Sequence, residues 1–343
     1  MKKRMFSFMV YALALTLVMY NCSKGDPLGP NAEIMDGLKK VEMTPVTLEK
    51  AEAPKTTPGS ITASAKYEEV EKGISGIQAN GQLSASLLSA IGDFSSVLTA
   101  SEISNLAELS PATVDAIAAG GPVPASIKSI LDKISGNART QVYLATVIEP
   151  SVQGEPTRDR TKDIKVPTIA KVTAGSPLTQ CYNAVETQYA TTIAGIEANR
   201  TAQLAQAQVD YQQVLTNLTT TETNCKNSAT ALYQPLKDAA NVSNQAAAAA
   251  LEAAKPNLTA TNYLVLKAVV KLGKVFFISQ VNTLENTAKT ACTNAKNLAV
   301  INANTAHQNN LNAINAAYAT AINQANAARA AALALCQEQH GQG

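Results

Sequence analysis

Four of the five cysteines stand at positions 181, 225, 292 and 336, and the interval of 44 residues between the first two recurs between the last two. Two segments that run antiparallel in a fixed register keep a constant sum of facing residue numbers. Cys181 with Cys336 and Cys225 with Cys292 both sum to 517. An even set of cysteines reads as a disulfide framework in an oxidising compartment, and four cysteines allow three connectivities. The repeated interval singles out one of them: two nested bridges across one antiparallel hairpin, with its turn near residues 256–260.

The same sum can be checked on the other side chains, because closely approaching helices place small residues opposite large ones. Val185 falls opposite Ala332, Tyr189 opposite Ala328, Ile196 opposite Ala321 and Val214 opposite Ala303. Toward the turn the sizes reverse, with Ala240 opposite Phe277 and Ala247 opposite Val270. Composition allows this: 38 alanines lie between Ser176 and Gly343. The facing positions step by four, four and three residues, an 11-residue period that gives a nearly straight or slightly right-handed coiled coil. At a rise of about 1.5 Å per residue, roughly 66 Å separates the two bridges. A compact bundle of shorter helices competes with this reading, since Pro235 removes a helical hydrogen bond and Thr219–Thr221 is a poor helix segment.

The rest of the chain divides by composition. Residues 22–81 carry Pro27, Pro30, Pro45, Pro54 and Pro58 among lysines, glutamates and threonines, which predicts a disordered tether. Residues 82–135 predict a small helical unit. Thr99-Ala-Ser-Glu102 is a capping box, Ser110-Pro111 an N-cap followed by a first-turn proline, Gly120-Gly121 a helix stop and Pro124 a restart. Apolar residues from Leu83 to Ile134 recur at helical spacing, and a unit of about 55 residues is marginal alone, so it needs a surface to pack on. Residues 136–176 form a linker or a β-hairpin between Gln141–Ile148 and Ile164–Val172, and residues 177–340 form the Ala-rich hairpin. The expected fold is therefore mainly α, with a long disulfide-stapled antiparallel hairpin, a small helical unit and a disordered N-terminal tether.

Residues 1–21 begin with Met1-Lys-Lys-Arg4, continue with an apolar run from Met5 to Met19, and end at Tyr20-Asn21 before Cys22. Fifteen residues are short for a membrane span and suit an export signal. A cysteine directly after such a core resembles the lipobox of bacterial lipoproteins, in the relaxed form of Bacteroidota or spirochaetes; Met19, Tyr20 and Asn21 stand where a branched aliphatic and small residues are more usual. The resemblance implies acylation of Cys22, removal of the leader and anchoring in the outer membrane by more than one acyl chain such as palmitate, facing the periplasm or the cell surface. A soluble secreted protein is the alternative.

The formal net charge is +2, and the leader holds three of the 28 basic residues, leaving 25 against 26 acidic ones. A near-neutral chain lacks the basic face that nucleic acid requires. His307 and His340 are the only histidines, neither at ligand spacing to a second ligand, and no phosphate-binding loop or nucleophile elbow is present, so no cofactor, metal or catalytic residue is expected. Tyr263–Val281 is the most apolar stretch after the leader. Its residues Val269, Leu272, Phe276 and Ile278 lie off the predicted seam and either serve as a partner contact or are buried under the unit at 82–135. The expected function is that of a non-enzymatic, lipid-anchored spacer or docking rod for another envelope or surface protein. An adhesin using the apolar hairpin tip is the alternative, with an uncharacterised hydrolase behind it.

Overall fold

A computed structural model describes residues 32–77, 82–154 and 177–340. The leader, Cys22 and the Ile164–Val172 stretch lie outside the described residues. The chain is mainly helical: α1 (Ala32–Lys39), α2 (Ala65–Ser75), α3 (Ala85–Val97), α4 (Ala100–Ala107), α5 (Pro111–Ala118), α6 (Ala125–Ser135), and the two arms α7 (Pro177–Ala254) and α8 (Ala260–His340). Among the described residues there are also four three-residue strands, β1 (Lys55–Thr57), β2 (Ser60–Thr62), β3 (Thr146–Ile148) and β4 (Ser151–Gln153). A short 3₁₀ turn, Lys255–Asn257, joins the arms, and the Thr259 hydroxyl caps α8 by accepting from the Asn262 N–H at 3.2 Å.

Both predicted bridges are formed, Cys181–Cys336 and Cys225–Cys292, each with a Cα separation of 5.9 Å. Six polar cross-arm pairs keep a register of their own. Glu186 with Arg329, Tyr189 with Asn326, Arg200 with Asn315, Tyr211 with Asn304, Glu222 with Thr293 and Thr230 with Glu285 all sum to 515, two less than the bridges. The covalent seam is thus flanked by a parallel row of hydrogen bonds.

Pro235 does not break the first arm; α7 runs through it as one 78-residue helix. The missing N–H is outweighed by tertiary contacts on either side. Tyr233 is fully buried and donates to the Gly59 carbonyl at 2.8 Å, Leu236 packs on the same cluster, and Lys237 pairs with Glu285 at 2.6 Å.

The described chain forms two compact units, to each of which both arms contribute. The first comprises residues 32–49, 177–210 and 307–340. Its core joins Ile34, Leu38 and Met43 to Val185, Tyr189 and Ile196 of α7 and to Ile314, Ala321 and Ala332 of α8 around the outer bridge. Residues 32–77 are therefore not part of a disordered tether, contrary to expectation. The stretch after α1 is extended and has few apolar residues, but its backbone groups are met by side chains of the arms. Thr192 donates to the Leu38 carbonyl, Gln203 accepts from the Val46 N–H at 2.9 Å, and Asn310 bonds both the N–H and the C=O of Glu49.

The second unit comprises residues 50–154 and 211–306. Here β1 pairs antiparallel with β4 and β2 with β3, so the strands after the small helical unit join strands before it. Thr146–Ile148, within the first stretch of the expected linker or β-hairpin, thus pairs with β2, while its expected partner at 164–172 lies outside the described residues. Ile61 and Val147 face each other in the β2–β3 ladder and pack on Tyr233, Val281 and Leu284. The predicted helix signals act where they stand: Thr99 and Glu102 form a complete capping box, Ser110 caps α5 ahead of Pro111, and Gly120 takes φ 91° so that Gly121 N–H can reach the Ala116 carbonyl.

The small unit packs on the hairpin. Leu87, Phe94, Leu106, Ile117 and Ile130 share one core with Leu266, Leu272, Val275 and Ile278 of α8 and with Leu251 of α7. Polar groups of α8 finish two of its helices. The Lys271 ammonium, its pKa lowered by burial, donates to the Leu109 carbonyl beyond α4, and eleven residues later Asn282 donates to the Ile117 carbonyl in the last turn of α5 at 2.7 Å. An 11-residue step is three helical turns, which keeps both side chains on one face.

Candidate functional site

Val269, Leu272 and Ile278 are buried in the core shared with the small helical unit, and Phe276 packs against it. These four residues complete the chain's own fold. Of the two sequence readings of this apolar stretch, a partner contact or burial under the small unit, the packing is that of burial, with α3–α6 covering these residues.

The two bridges differ in their surroundings. Cys181 and Cys336 are 1% and 0% exposed within the core of the first unit. The Cys225–Cys292 bridge instead lines a cleft of about 570 Å³ that opens to solvent in the second unit. One wall is the segment Thr56-Thr57-Pro58 with Pro150, placed there by the β1–β4 ladder. The opposite wall is the α7 flank that carries Thr221, Asn224, Ser228 and Leu232, and Ala288 and Ala291 of α8 close the floor. Among the described residues, no lysine, arginine, aspartate or glutamate lines it. Cys225 is half-buried, with its sulfur 3.9 Å from the Thr56 hydroxyl, whereas Cys292 is 4% exposed.

Two charged clusters bracket this bridge along the arms. On one side Glu222 pairs with Lys226 at 2.6 Å and Lys296 at 2.8 Å and accepts from Thr293. Hydrogen bonds from Lys226, Lys296 and Thr293 hold its carboxyl at about 2. On the other side Glu285 meets Lys237 at 2.6 Å, Lys289 and the Thr230 hydroxyl. Burial pushes the Glu285 carboxyl up, but its three donors more than offset this and bring it to about 2. These groups are fixed cross-links, each anion saturated by its own cations.

The i, i+4 lysines of both clusters are visible in the sequence, since Lys226 follows Glu222 and Lys289 follows Glu285 by four residues, but Thr293 and Thr230 do not face these carboxylates in the bridge register and their pairing is seen only in the structure. The cleft had no comparable signal, since its outer wall comes from residues 56–58 and 150, far away in sequence. Among the described residues no group of three or more His, Cys, Asp or Glu side chains is placed to hold a metal ion, and no helix is long and apolar enough to cross a membrane. The chain matches no protein-family model, no curated protein and no solved structure.

Proposed function

We propose that this chain is a lipid-anchored, non-enzymatic protein of a bacterial envelope, held in the outer membrane through acylated Cys22, and that its stapled helical hairpin serves as a spacer or docking rod for another envelope or surface protein. The observation that carries the reading is the pair of bridges joined in one register, because structural disulfides persist in oxidising compartments and are rare elsewhere. The charged start, short apolar run and Cys22 of the leader support export and anchoring on the same grounds. The cross-arm bonds that recur at one register support a mechanical role, since they resist sliding of one arm along the other.

Labelling with radioactive palmitate in the native host tests the anchor. Wild type takes up label and Cys22→Ala does not; equal labelling of the two overturns the lipoprotein reading. Cross-linking in intact envelopes, followed by mass spectrometry of what the hairpin captures, tests the docking role.

A further inference from the structure

We propose that the Cys225–Cys292 bridge is a thiol-exchange site, opened by a dithiol that enters the cleft beside it, while Cys181–Cys336 stays closed as a structural staple. This inference does not depend on lipidation of Cys22. Attack on a disulfide requires an incoming thiolate to reach one sulfur, so access decides which of two bridges reacts. Both inner cysteines line the cleft, and Cys225 is the more exposed of them. The outer pair lies inside a packed core, at no more than 1% exposure. Among the described residues the cleft walls carry hydroxyl, amide and apolar groups that leave an approaching thiolate a route to the bridge.

The exchange is balanced by the dithiol alone. One of its thiolates attacks Sγ of Cys225, the S–S bond breaks, and Cys292 leaves as a thiolate that takes up a proton. The second thiol then attacks the reductant's own sulfur in the mixed disulfide, which frees Cys225 as a thiol and leaves the reductant as a disulfide. Two electrons and two protons pass to the protein. The reaction frees both arms next to Thr219–Thr221, the segment whose helix propensity is weakest.

The test uses the full oxidised chain under native conditions, with graded dithiothreitol, quenching by N-ethylmaleimide and peptide mapping. Cys225 and Cys292 are expected to be alkylated at least about tenfold faster than Cys181 and Cys336, at a rate linear in dithiothreitol. Equal or reversed rates overturn the proposal, as does a rate that plateaus with reductant, which marks reduction through prior unfolding. Ser228→Trp adds an independent arm, because Ser228 is exposed on the α7 wall and a tryptophan there fills the cleft without entering the core. It is expected to slow reduction of the inner bridge several-fold, and an unchanged rate rules out the cleft as the route. Replacing dithiothreitol with a Cys-x-x-Cys oxidoreductase separates the two sources of dithiol: faster reduction by the protein than by the small molecule at equal concentration assigns the donor to a protein.

Discussion

Asn310 reads the backbone of Glu49 as a neighbouring β-strand would. Its Oδ1 accepts from the Glu49 N–H at 2.6 Å and its Nδ2 donates to the Glu49 carbonyl at 3.0 Å, across 261 residues of sequence. Asn309 adds a bond to the Glu49 carboxylate at 3.0 Å, and Asn302 donates to the Glu52 carbonyl at 3.1 Å. Side-chain amides on a helix thereby replace the ladder that an extended segment otherwise finds in a sheet.

Asn310→Ala removes both backbone bonds to Glu49, and the effect is expected to be local. Amide exchange around residues 43–49 should accelerate by about tenfold or more while the arms keep their protection, as the loss of one or two net hydrogen bonds of about 1 kcal/mol each implies. Asn310→Asp should be at least as damaging, because a carboxylate oxygen then faces the Glu49 carbonyl. Hydrogen-exchange mass spectrometry reads both. Unchanged exchange in either variant would show that the Asn310 bonds do not hold the segment.

Gly273 allows the Tyr67 ring to lie directly on α8, where a Cβ at 273 would overlap it, and the Tyr67 hydroxyl donates to the Val270 carbonyl at 3.3 Å. Burial and the nearby Glu71 carboxylate push that hydroxyl's pKa up. Alanine is the better helix former by about 1 kcal/mol, yet overpacking costs about 1–3 kcal/mol, so Gly273→Ala should destabilise on balance. The decisive measurement is a double-mutant cycle by urea denaturation. In a Tyr67→Ala background the same substitution should become neutral or stabilising, and a loss as large as in wild type would place its cause elsewhere.

The Lys237–Glu285 pair is about nine-tenths buried on both sides. Glu285→Gln leaves the Lys237 ammonium without its counter-charge and should cost about 3 kcal/mol or more. Lys237→Met should cost less, since Lys289 still neutralises Glu285. The order of the two urea midpoints is the test, and equal losses would contradict the sharing of Glu285 between two lysines.

Acid sensitivity follows from the same clusters. Glu222 and Glu285 titrate at about 2 when folded, against an ordinary value of 4.5. A carboxylate whose folded pKa is depressed adds stability that is complete above its unfolded value and is lost as pH falls toward the folded one. Stability should therefore be flat above about pH 5 and decline between about 4.5 and 2. Glu222→Gln should flatten that decline, which circular dichroism during acid titration will show; an unaltered profile would mean that other carboxylates govern it.

Peptide mapping without reductant should recover Cys181 joined to Cys336 and Cys225 joined to Cys292. In the chain-entropy account, closing loops of 155 and 67 residue steps contributes about 4–5 kcal/mol each when taken singly, and less for the inner bridge once the outer one exists. The double variant Cys225→Ser/Cys292→Ser should thus lose less stability than Cys181→Ser/Cys336→Ser. The opposite order would mean that native packing around the bridges outweighs the chain statistics.

What was legible in the sequence follows from how local or how constrained each signal is. The hairpin could be read because two covalent bonds and a period of alanines impose one register on more than 150 residues. The caps of α4 and α5 could be read because Thr99, Glu102, Ser110 and Pro111 act within a single turn. Pro235 misleads because its cost is local whereas Tyr233 and Lys237, which hold the helix together around it, act through Gly59 and Glu285. Residues 32–77 mislead for a related reason. Hydrophobic content judges a segment by what it can bury alone, whereas this one buries Ile34, Leu38, Met43, Val70 and Ile74 against distant helices and has its extended part bonded by amides of residues 203, 302, 309 and 310. The cleft needs Thr56, Pro150 and Cys292 together, and no pattern along the chain links them.

The amides that hold Glu49 and Glu52 sit on α8, and the partner of Cys181 is Cys336. During synthesis the early segment therefore emerges long before the atoms that order it exist. It remains uncommitted until α8 has been made, because the bonds to Glu52 and Glu49 span 250 and 261 residues of sequence. Its maturation waits on Asn302, Asn309 and Asn310, and a chain truncated before Asn302 lacks these bonds to its earlier segment.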